Sequence, residues 1–549
     1  MPRLWKARAL ASLLVCLDAL TLGCSSEQPA ASGPASLTIS FTPNAGTFLA
    51  SQTVALSVAN EQAEIHFTVD GSLPSAASPV YDGPLALMQS TRLRALAVVP
   101  SSTSVGGGAS AGAPEAGPVA EQDYLRVANE LSAFSSNLPI VVIHTFESRT
   151  INPDNTEFVP AKLELLEPNG VSTSLVGRAT LDAHIGIHVR GETSRGFPKK
   201  QYAVELRDPL TDNDLDLPLL GMPADSDWVL SDPISMDRSL IRNALGFLIS
   251  NRIGRYASRT RFVEVFLADG GGDVTSQNFL GFYTVIEKIK RGSQRVDVKK
   301  LLETDLAQPN VSGGYVLRID KGTNDFQGGG EPMQFVYPDA AVAKLPARQP
   351  QLDYIRGFVD GFGQAIGAAD FKQPTTGLHY SEFIDVDAWI DHNIVNALTK
   401  NVDALRISAY FHKEREGHLI AGPVWDFDRS LGTTQDDRAK APEEWKRAGS
   451  DGTDYFNEGY WKNLFRDPAF KTRYKNRFLA LLAGELAPEK LTQMVDQLAA
   501  SVGSAADRNF QRWPQSAPQG GSYQNELTLL KDFLVRRAAF IRNDLAKWP

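Results

Sequence analysis

Alternation of hydrophobic and polar residues divides the chain into strand-rich and helix-rich parts. Residues 36–100 contain short alternating stretches separated by turn residues, such as QTVALSVA and EIHFTVDG, which predicts a small all-β sandwich. Alternation returns from residue 138 in LPIVVIHTF, QYAVELRD and GGYVLRID, with one helix predicted over 239–251. Beyond residue 380 the apolar spacing is that of helices. We therefore expect a multi-domain protein in which a two-lobed α+β domain, with a cleft between its lobes, occupies residues 138–549.

The first 23 residues are predicted to be a secretory signal peptide, because basic residues precede an apolar run and then small residues. The ending TLGCSS resembles the lipobox of bacterial lipoproteins. That resemblance implies lipidation of Cys24, which becomes the mature N-terminus; plain secretion with cleavage nearby is the alternative. The protein is expected to be exported, and either lipid-anchored to the outer membrane or cell surface or secreted. The membrane would be contacted only through the lipid.

Composition narrows the function classes and marks one boundary. Only two cysteines are present, and one of them lies in the signal peptide, so neither a disulfide framework nor a cysteine zinc site is expected. The net charge of −9 argues against a nucleic-acid binder, which needs a basic face. Residues 101–137 begin with Gly, Ala, Ser and Pro, and predict a flexible linker and lead-in. The sandwich and the larger domain are therefore expected to be separate folding units.

The sandwich region carries a recognisable pattern. The stretch IHFTVDGSLPSAASPVYDGPLAL resembles the β-sandwich modules found at the C-terminus of chitobiases and hexosaminidases. Its Asp-Gly pair is explained as a turn, since glycine supplies a positive φ. The resemblance implies an accessory module without catalytic residues, and a cell-wall or glycan contact is the partner expected for it.

The stretch GPVWDFDRSLG places Asp426 and Asp428 on either side of a phenylalanine, at the expected end of an apolar strand. Carboxylates are costly to bury unless they are paired or bind a metal. Upstream, a helix is predicted to end near Lys400, Asp403 follows in a loop, and a hairpin around KEREGH leads back to Asp426. Phosphotransferases use this layout for the acid that orients or deprotonates the acceptor hydroxyl and the acid that holds Mg²⁺. Capping and turn roles are the alternative, above all for Asp428.

A second stretch, HVRGETSRGFPKKQYAVELRD, is predicted to form two strands around a loop that contains Gly191, Ser194 and Arg195. Backbone N–H groups, hydroxyls and arginine can cradle a phosphate. Lys199 and Lys200 open the second strand, where a lysine can pair with nucleotide phosphates. A hairpin turn with a solvated basic patch is the alternative, since the stretch contains no GxGxxG.

Six stretches in order along the chain resemble the CotH kinase family, the relatives of spore coat protein H. The resemblance implies an atypical protein-kinase-like fold and transfer of phosphate from ATP, with Mg²⁺, to serine or threonine of secreted or surface proteins. The stretches are RGETSRGFPKKQYAVELRD, DWVLSDPISMDRSLIRNALGFLI, GFYTVIEKIKRGSQRVDV, SGGYVLRIDKG, LTKNVDALRISAYFHK and GPVWDFDRSLG.

The same resemblance assigns roles to the acids. It places Asp403 at the catalytic aspartate, and Asp426, with Asp428 and Ser408 beside it, at the metal site. Many family members have an asparagine about where Ser408 falls, and a serine hydroxyl is a poorer metal ligand. A non-catalytic surface binding or structural protein with a degenerate kinase fold is therefore the alternative function. Carbohydrate processing is disfavoured, since Asp426 and Asp428 are too close in sequence to flank a glycosidic bond unaided.

The resemblance also implies residues that bind the nucleotide. Arg190 and Ser194 are expected in the phosphate-facing loop, and Lys199 or Lys200 near the nucleotide phosphates. Glu287 is expected near the cleft between the lobes.

Overall fold

The structure is a computed structural model that describes residues 36–100, 114–146, 150–232 and 236–549. The predicted signal peptide, the predicted lipidation site at Cys24 and most of the predicted glycine-rich linker lie outside the described residues. The described chain forms a β-rich N-terminal region, followed by a domain that combines a strand barrel with helices.

Two sheets with a shared apolar core form the N-terminal region. One sheet has the order β1-β3-β5, and the other contains β2-β8-β6-β4, with β7 paired to β6. Side chains of β6 alternate between buried and partly exposed positions, as the pattern predicts. The strands are β1 (Ile39–Thr42), β2 (Gly46–Phe48), β3 (Gln52–Val58), β4 (Glu64–Thr68), β5 (Leu85–Leu87), β6 (Thr91–Val99), β7 (Glu115–Ala116) and β8 (Ala120–Arg126).

Strand β8 corrects the predicted boundary of the linker over 101–137. It pairs antiparallel with β6, with Tyr124 opposite Thr91, and parallel with β2. Tyr124 is buried in the core of the sandwich. The sequence AEQDYLR is mostly polar and therefore did not predict this strand. Its polar side chains, such as Glu121 and Asp123, form ion pairs with neighbouring strands. Residues 101–113 fall outside the described residues, so the linker prediction there stays a prediction.

The central part of the chain is a closed seven-stranded barrel in the order β10-β11-β14-β15-β18-β20-β19. Strands β10 and β19 run parallel, and the other neighbours run antiparallel. The interior is apolar, with Val141, Leu163, Ile185 and Val263 among its buried residues. The barrel strands are β10 (Ile140–His144), β11 (Val159–Leu166), β14 (Leu181–Arg190), β15 (Gln201–Arg207), β18 (Asp227–Ser231), β19 (Thr260–Ala268) and β20 (Phe279–Glu287). Short strands outside the barrel lie between them or before them: β9 (Ser135–Ser136), β12 (Thr173–Ser174), β13 (Gly177–Arg178), β16 (Leu217–Leu219) and β17 (Met222–Asp225).

The sandwich and the barrel are joined directly. Strand β13, from the barrel region, pairs with β2 at the edge of a sandwich sheet. Arg126 of β8 forms an ion pair with Asp273, and the Ser90 hydroxyl donates to the carbonyl of Gly272 beside it at 2.9 Å. The expectation of two separate folding units is therefore corrected, because one sheet contains strands from both sides of the predicted linker.

One helix, Arg242–Arg252, is inserted between β18 and β19. The other helices follow the barrel, together with a five-stranded sheet in the order β22-β23-β21-β24-β25. The outer face of the barrel, at Phe262, Phe282 and Ile286, belongs to the same apolar core as these helices. No helix within the described ranges is long and apolar enough to span a membrane. The elements are α1 (Arg242–Arg252), α2 (Ala340–Ala343), α3 (Gln349–Gly367), α4 (Val386–Thr399), α5 (Gly459–Leu464), α6 (Pro468–Ala483), α7 (Pro488–Val502), α8 (Ala505–Arg512), α9 (Tyr523–Leu545), β21 (Tyr315–Ile319), β22 (Phe326–Gly328), β23 (Glu331–Tyr337), β24 (Ala409–Lys413) and β25 (Leu419–Ala421).

Candidate active site

A polar cavity of about 600 Å³ lies between one end of the barrel and the helical part. That volume is in the range of small-molecule and cofactor sites. Three loops supply most of its wall: the loop after β14, the loop after α4 and the segment after β25. Six sequence-predicted residues line this one cavity: Arg190, Ser194, Asp403, Ser408, Asp426 and Asp428.

The segment after β25 presents the two acids. We predicted a strand up to Asp426, but β25 ends at Ala421, because Gly422 has a φ of 127° and Pro423 offers no N–H for a ladder. Asp426 itself lies in the left-handed region, with a φ of 64°. Such non-glycine residues cost energy and concentrate at functional sites.

Phe427 anchors this segment in the hydrophobic core. Its ring is fully buried, and its N–H donates to Oδ1 of Asn243 at 2.7 Å. A Cβ at Gly246 would lie 2.4 Å from the Phe427 ring, so helix α1 can pass here only with glycine. With Phe427 held in the core, the flanking carboxylates of Asp426 and Asp428 line the cavity.

The two carboxyl groups interact directly. Burial raises the pKa of both acids, and the charge of Asp426 raises that of Asp428 further. The two carboxyl groups therefore interact, and two negative charges at this place repel each other. A divalent cation between them would offset that repulsion and allow both groups to ionise.

Ser408 and the loop after α4 complete the acidic side. The Ser408 hydroxyl lies 3.4 Å from Oδ2 of Asp426, so it belongs to the same group of oxygen atoms. Helix α4 ends with Lys400 in the left-handed conformation, which turns the chain into the loop. Asn401 then donates from Nδ2 to the carbonyl of Asp426 at 2.9 Å. This bond ties the Asp403 loop to the Asp426 segment.

Asp403 faces the cavity with one oxygen already occupied. Arg406 Nη2 lies 2.9 Å from Oδ1 of Asp403, and Arg438 Nη1 lies 3.3 Å from the same atom. No hydrogen bond from the described residues reaches the other oxygen, Oδ2. That oxygen can therefore accept a proton or a hydrogen bond from a bound molecule.

The loop after β14 forms the opposite wall. Gly191 has a φ of 95°, and a Cβ there would lie 2.0 Å from the Ser194 hydroxyl, so the turn requires glycine. Arg195 closes the turn by donating from Nε to the carbonyl of Gly191 at 2.7 Å. The Arg190 guanidinium lies over the ring of Trp425, 5.9 Å from its centroid. The basic residues that line the whole cavity are Arg190, Arg195, Arg318, Lys321, Arg406, Arg429 and Arg438.

The structure places the predicted lysines outside the cavity. Lys199 is buried, with Nζ 3.1 Å from Oδ1 of Asn509 and 3.2 Å from Oδ1 of Asp232. Burial lowers the pKa of Lys199. Lys200 donates from Nζ to the carbonyl of Arg195 at 2.7 Å. It therefore stabilises the loop after β14 from outside the cavity. Neither ammonium group faces the space between the three loops.

Glu287 also lies apart from the cavity. Its carboxylate is fully buried and receives Arg259 Nη1 at 2.7 Å, the Arg259 N–H at 2.9 Å and the Tyr256 hydroxyl at 3.2 Å. These bonds fasten the end of β20 to the chain before β19. We therefore assign Glu287 a structural role at the end of the barrel, in place of the expected position near the cleft.

Sequence reasoning missed several cavity residues. Arg318 and Asp320 line the cavity from the end of β21, in the stretch YVLRID. Charged residues at the end of an otherwise apolar strand could have indicated that they belong to a site. Asn243 lines the cavity at the start of α1 and was hidden in a helical pattern. Arg438 carries no local signal, because its position depends on a long irregular segment.

A family model described as CotH kinase protein matches residues 187–541. The chain belongs to the CotH kinase protein family. The matched range includes every cavity residue that we predicted from the sequence. A second model, described as Chitobiase/beta-hexosaminidase C-terminal domain, matches residues 43–105. These two matches confirm both resemblances predicted from the sequence. No curated protein matches the chain.

The extent of the CotH kinase match bears on the fold. It begins inside β14, so β10 and β11, which close the barrel, precede it. The sandwich match likewise ends before β8. Strand β13, which pairs with β2 of the sandwich, and strand β8 both lie between the two matched ranges.

Proposed function

We propose that the protein is an exported atypical protein kinase with a two-lobed α+β kinase-like fold. It would transfer the terminal phosphoryl group of Mg-ATP to serine or threonine of secreted or cell-surface proteins. The observation that carries this proposal is the convergence of Asp403, Asp426 and Asp428 on one cavity with a basic loop opposite. Membership of the CotH kinase protein family supports the same reaction class.

The acidic side fits Mg²⁺. Magnesium prefers oxygen ligands and takes few of them from protein, and Asp426, Asp428 and Ser408 offer two carboxylates and a hydroxyl. The raised pKa values of the two carboxyl groups favour a cation at this place. When bound, Mg²⁺ supplies positive charge that neutralises phosphate oxygens. The chain's own part is to hold that charge at a fixed distance from Asp403.

The remaining walls fit a nucleotide. The loop from Gly191 to Arg195 offers backbone N–H groups, the Ser194 hydroxyl and a guanidinium group, which suit a phosphate chain. Trp425 and Phe247, stacked at 5.6 Å between centroids, give the cavity an aromatic wall. With Lys199 and Lys200 turned elsewhere, arginines such as Arg190 take over the pairing of phosphate charges.

Asp403 is assigned to the acceptor hydroxyl. Its free Oδ2 can receive the proton of a serine or threonine hydroxyl as the hydroxyl oxygen forms a bond to the terminal phosphorus. The bond between that phosphorus and the bridging oxygen breaks, and ADP leaves with the electron pair. The products are a phosphorylated side chain and ADP, with the proton held first by Asp403.

Export and partners belong to this proposal. A lipid on Cys24 would hold the protein at the outer membrane or cell surface, and cleavage elsewhere would release it. The N-terminal sandwich would bring the kinase to a cell-wall or glycan surface. Its direct junction with the barrel would hold the cavity at a fixed orientation to that surface.

A second function, as a non-catalytic surface binding protein, is favoured by two specific observations. Ser408 occupies the region where many family members have an asparagine, and neither Lys199 nor Lys200 faces the cavity. Both features remove charge or ligand strength from a phosphoryl-transfer site.

The deciding experiment measures binding of ATP and transfer of labelled phosphate with the full mature chain, using autophosphorylation, casein and myelin basic protein as acceptors. We expect Asp403→Asn to retain nucleotide affinity and lose transfer. Asp426→Asn should weaken Mg²⁺-dependent binding and reduce transfer by about 100-fold or more. Asp437→Asn, an exposed acid paired with Lys440, is the matched control. If both active-site variants bind Mg-ATP like the wild type, and the wild type transfers nothing, the binding-protein function replaces the kinase.

A further inference from the structure

A long irregular segment follows the two cavity acids. Residues 429–458 contain neither helix nor strand, yet three of them, Arg429, Arg438 and Asp451, line the cavity. We refer to residues 429–458 as the irregular segment. A stretch of this length without secondary structure is uncommon in a compact domain and is usually functional.

Hydrogen bonds from buried side chains hold the base of the irregular segment. Arg537, fully buried in α9, donates to the carbonyls of Pro442 and Glu444. Lys400 donates from Nζ to the carbonyl of Ala441 at 2.7 Å. Further along, Thr453 donates from its hydroxyl to the carbonyl of Ala404 at 2.7 Å. The segment is therefore fastened to the helical part and to the loop that carries Asp403.

Arg438 extends from this base to Asp403. Its Nε and Nη2 contact the two carboxylate oxygens of Asp436 at 2.9 Å and 2.6 Å, a bidentate pair that fixes the plane of the guanidinium group. The remaining nitrogen, Nη1, lies 3.3 Å from Oδ1 of Asp403 and 3.3 Å from Oδ1 of Asp451. Asp436 therefore orients the Arg438 guanidinium group, whose remaining nitrogen contacts Asp403.

We propose that Arg438 is the positioning residue of Asp403, and that the irregular segment controls transfer through it. Together with Arg406, Arg438 holds Oδ1 of Asp403 and leaves Oδ2 directed to the acceptor hydroxyl. Without Arg438, the Asp403 carboxylate keeps only its contact with Arg406, so its rotation about the Cβ–Cγ bond is less restricted. This inference rests on the proposed kinase function.

The geometry predicts a separation of kinetic effects. Arg438 contacts Asp403 and two other acids but no group assigned to the nucleotide, so its loss should reduce kcat and leave the KM for ATP nearly unchanged. Loss of orientation at a reacting group reduces the rate by about 10- to 100-fold. A residue with a purely structural role would instead affect stability and both kinetic constants together.

The test compares Arg438→Ala, Arg438→Lys and Asp436→Asn with the control Arg447→Ala, from the same segment, whose guanidinium pairs with the exposed Asp437. We expect kcat to fall about 10- to 100-fold in Arg438→Ala, less in Asp436→Asn, and not in the control. Added guanidinium ion should partly restore Arg438→Ala and leave the wild type unaffected. Calorimetric ATP affinity should stay within about 2-fold of the wild type, since a larger change would report altered nucleotide binding.

The outcomes separate the two proposals. A wild-type chain that transfers phosphate, together with an Arg438→Ala variant of unchanged kcat, would overturn the positioning role alone. A wild-type chain that transfers none would overturn the kinase function and the positioning role with it. If Arg438→Ala fails to fold, Arg438→Lys decides, because lysine keeps the charge but loses the bidentate contact with Asp436. A full kcat in that variant contradicts the proposal.

Discussion

Acidic side chains are buried in two regions of this molecule, and the two regions differ in where the balancing charge comes from. At the junction of sandwich and barrel, Asp123 of β8 and Asp182 of β14 contact Lys162 of β11, whose Nζ lies 2.8 Å and 3.0 Å from them. In the cavity, Asp426 and Asp428 form no ion pair with a basic side chain of the described chain, and the nearby Arg429 pairs with Asp436.

The junction also contains a set of side chains that could act as metal ligands. Glu121, Asp123 and His184 at the junction place their ligand atoms within 4.8 Å of one another, a set suited to a cation. The Lys162 ammonium already lies 3.4 Å from Oε1 of Glu121, and Arg94 bonds to the same carboxylate. The junction therefore carries its own cations and is closed, whereas Asp426 and Asp428 line the cavity.

The largest effect that tests this comparison is expected at Asp123. Its side chain is fully buried and pairs with Lys162 and with Arg92, at 3.2 Å. Asp123→Asn removes the buried negative charge that both cations contact, and leaves Lys162 with Asp182 and Glu121, and Arg92 with Glu121 alone. The free energy of unfolding should therefore fall by about 3 kcal/mol. Chemical denaturation measures this change, and Asp437→Asn, an exposed pair, is the control. Unchanged ATP affinity is expected, because the junction is distinct from the cavity; a loss of stability as small as in the control would contradict the closed-junction interpretation.

A smaller and pH-dependent effect is expected at Glu164. Its carboxylate is fully buried with both oxygens unbonded, and burial, followed by the charges of Asp182 and Asp123, raises its pKa well above the ordinary value of 4.5. The folded state therefore keeps a proton that the unfolded state releases, and stability from this group falls as pH rises above about 4.5.

Glu164→Gln imitates the protonated acid. The variant should match the wild type near pH 4.5 and become more stable than it towards pH 8, by about 1.4 kcal/mol for each pH unit over which Glu164 is protonated in the folded state and ionised in the unfolded state. Thermal unfolding at pH 4.5, 6 and 8 measures the difference between the two proteins. Parallel stability curves would show that Glu164 ionises normally and would contradict the burial of its charge. Asp182, whose pKa burial raises to about 6, is present in both proteins, so its own titration contributes to both stability curves.

Local signals predicted the parts of the site that lie within short stretches of chain. The sequence predicted helix α4, the loop with Asp403 and the hairpin β24–β25. The signals were helical spacing of apolar residues, then turn residues, then two short apolar stretches around KEREGH, all close together in the sequence. The cavity acids Asp426 and Asp428 stood out because charge appears in an apolar context. The strand end was misplaced, since the backbone turns at Gly422 and Pro423.

Long-range partners decided what could not be predicted. Lys199 had the right place before β15, but its side chain turns to Asn509, more than 300 residues away in the sequence. Strand β8 lacked a clear pattern because its polar side faces the charged surface of the barrel. Arg438 reaches Asp403 only because α9 and Lys400 hold the irregular segment.

The most direct measurement concerns the cavity acids. We would measure the affinity of a non-hydrolysable ATP analogue as a function of Mg²⁺ concentration at pH 6 and pH 8, in the wild type, Asp426→Asn and the junction control Glu164→Gln. Because the raised pKa values of Asp426 and Asp428 make protons compete with the cation, Mg²⁺ should strengthen binding more at pH 8 than at pH 6. The control should behave like the wild type, and Asp426→Asn should lose the Mg²⁺ effect. An equal Mg²⁺ effect in Asp426→Asn and the wild type would contradict the assignment of these acids as the cation site.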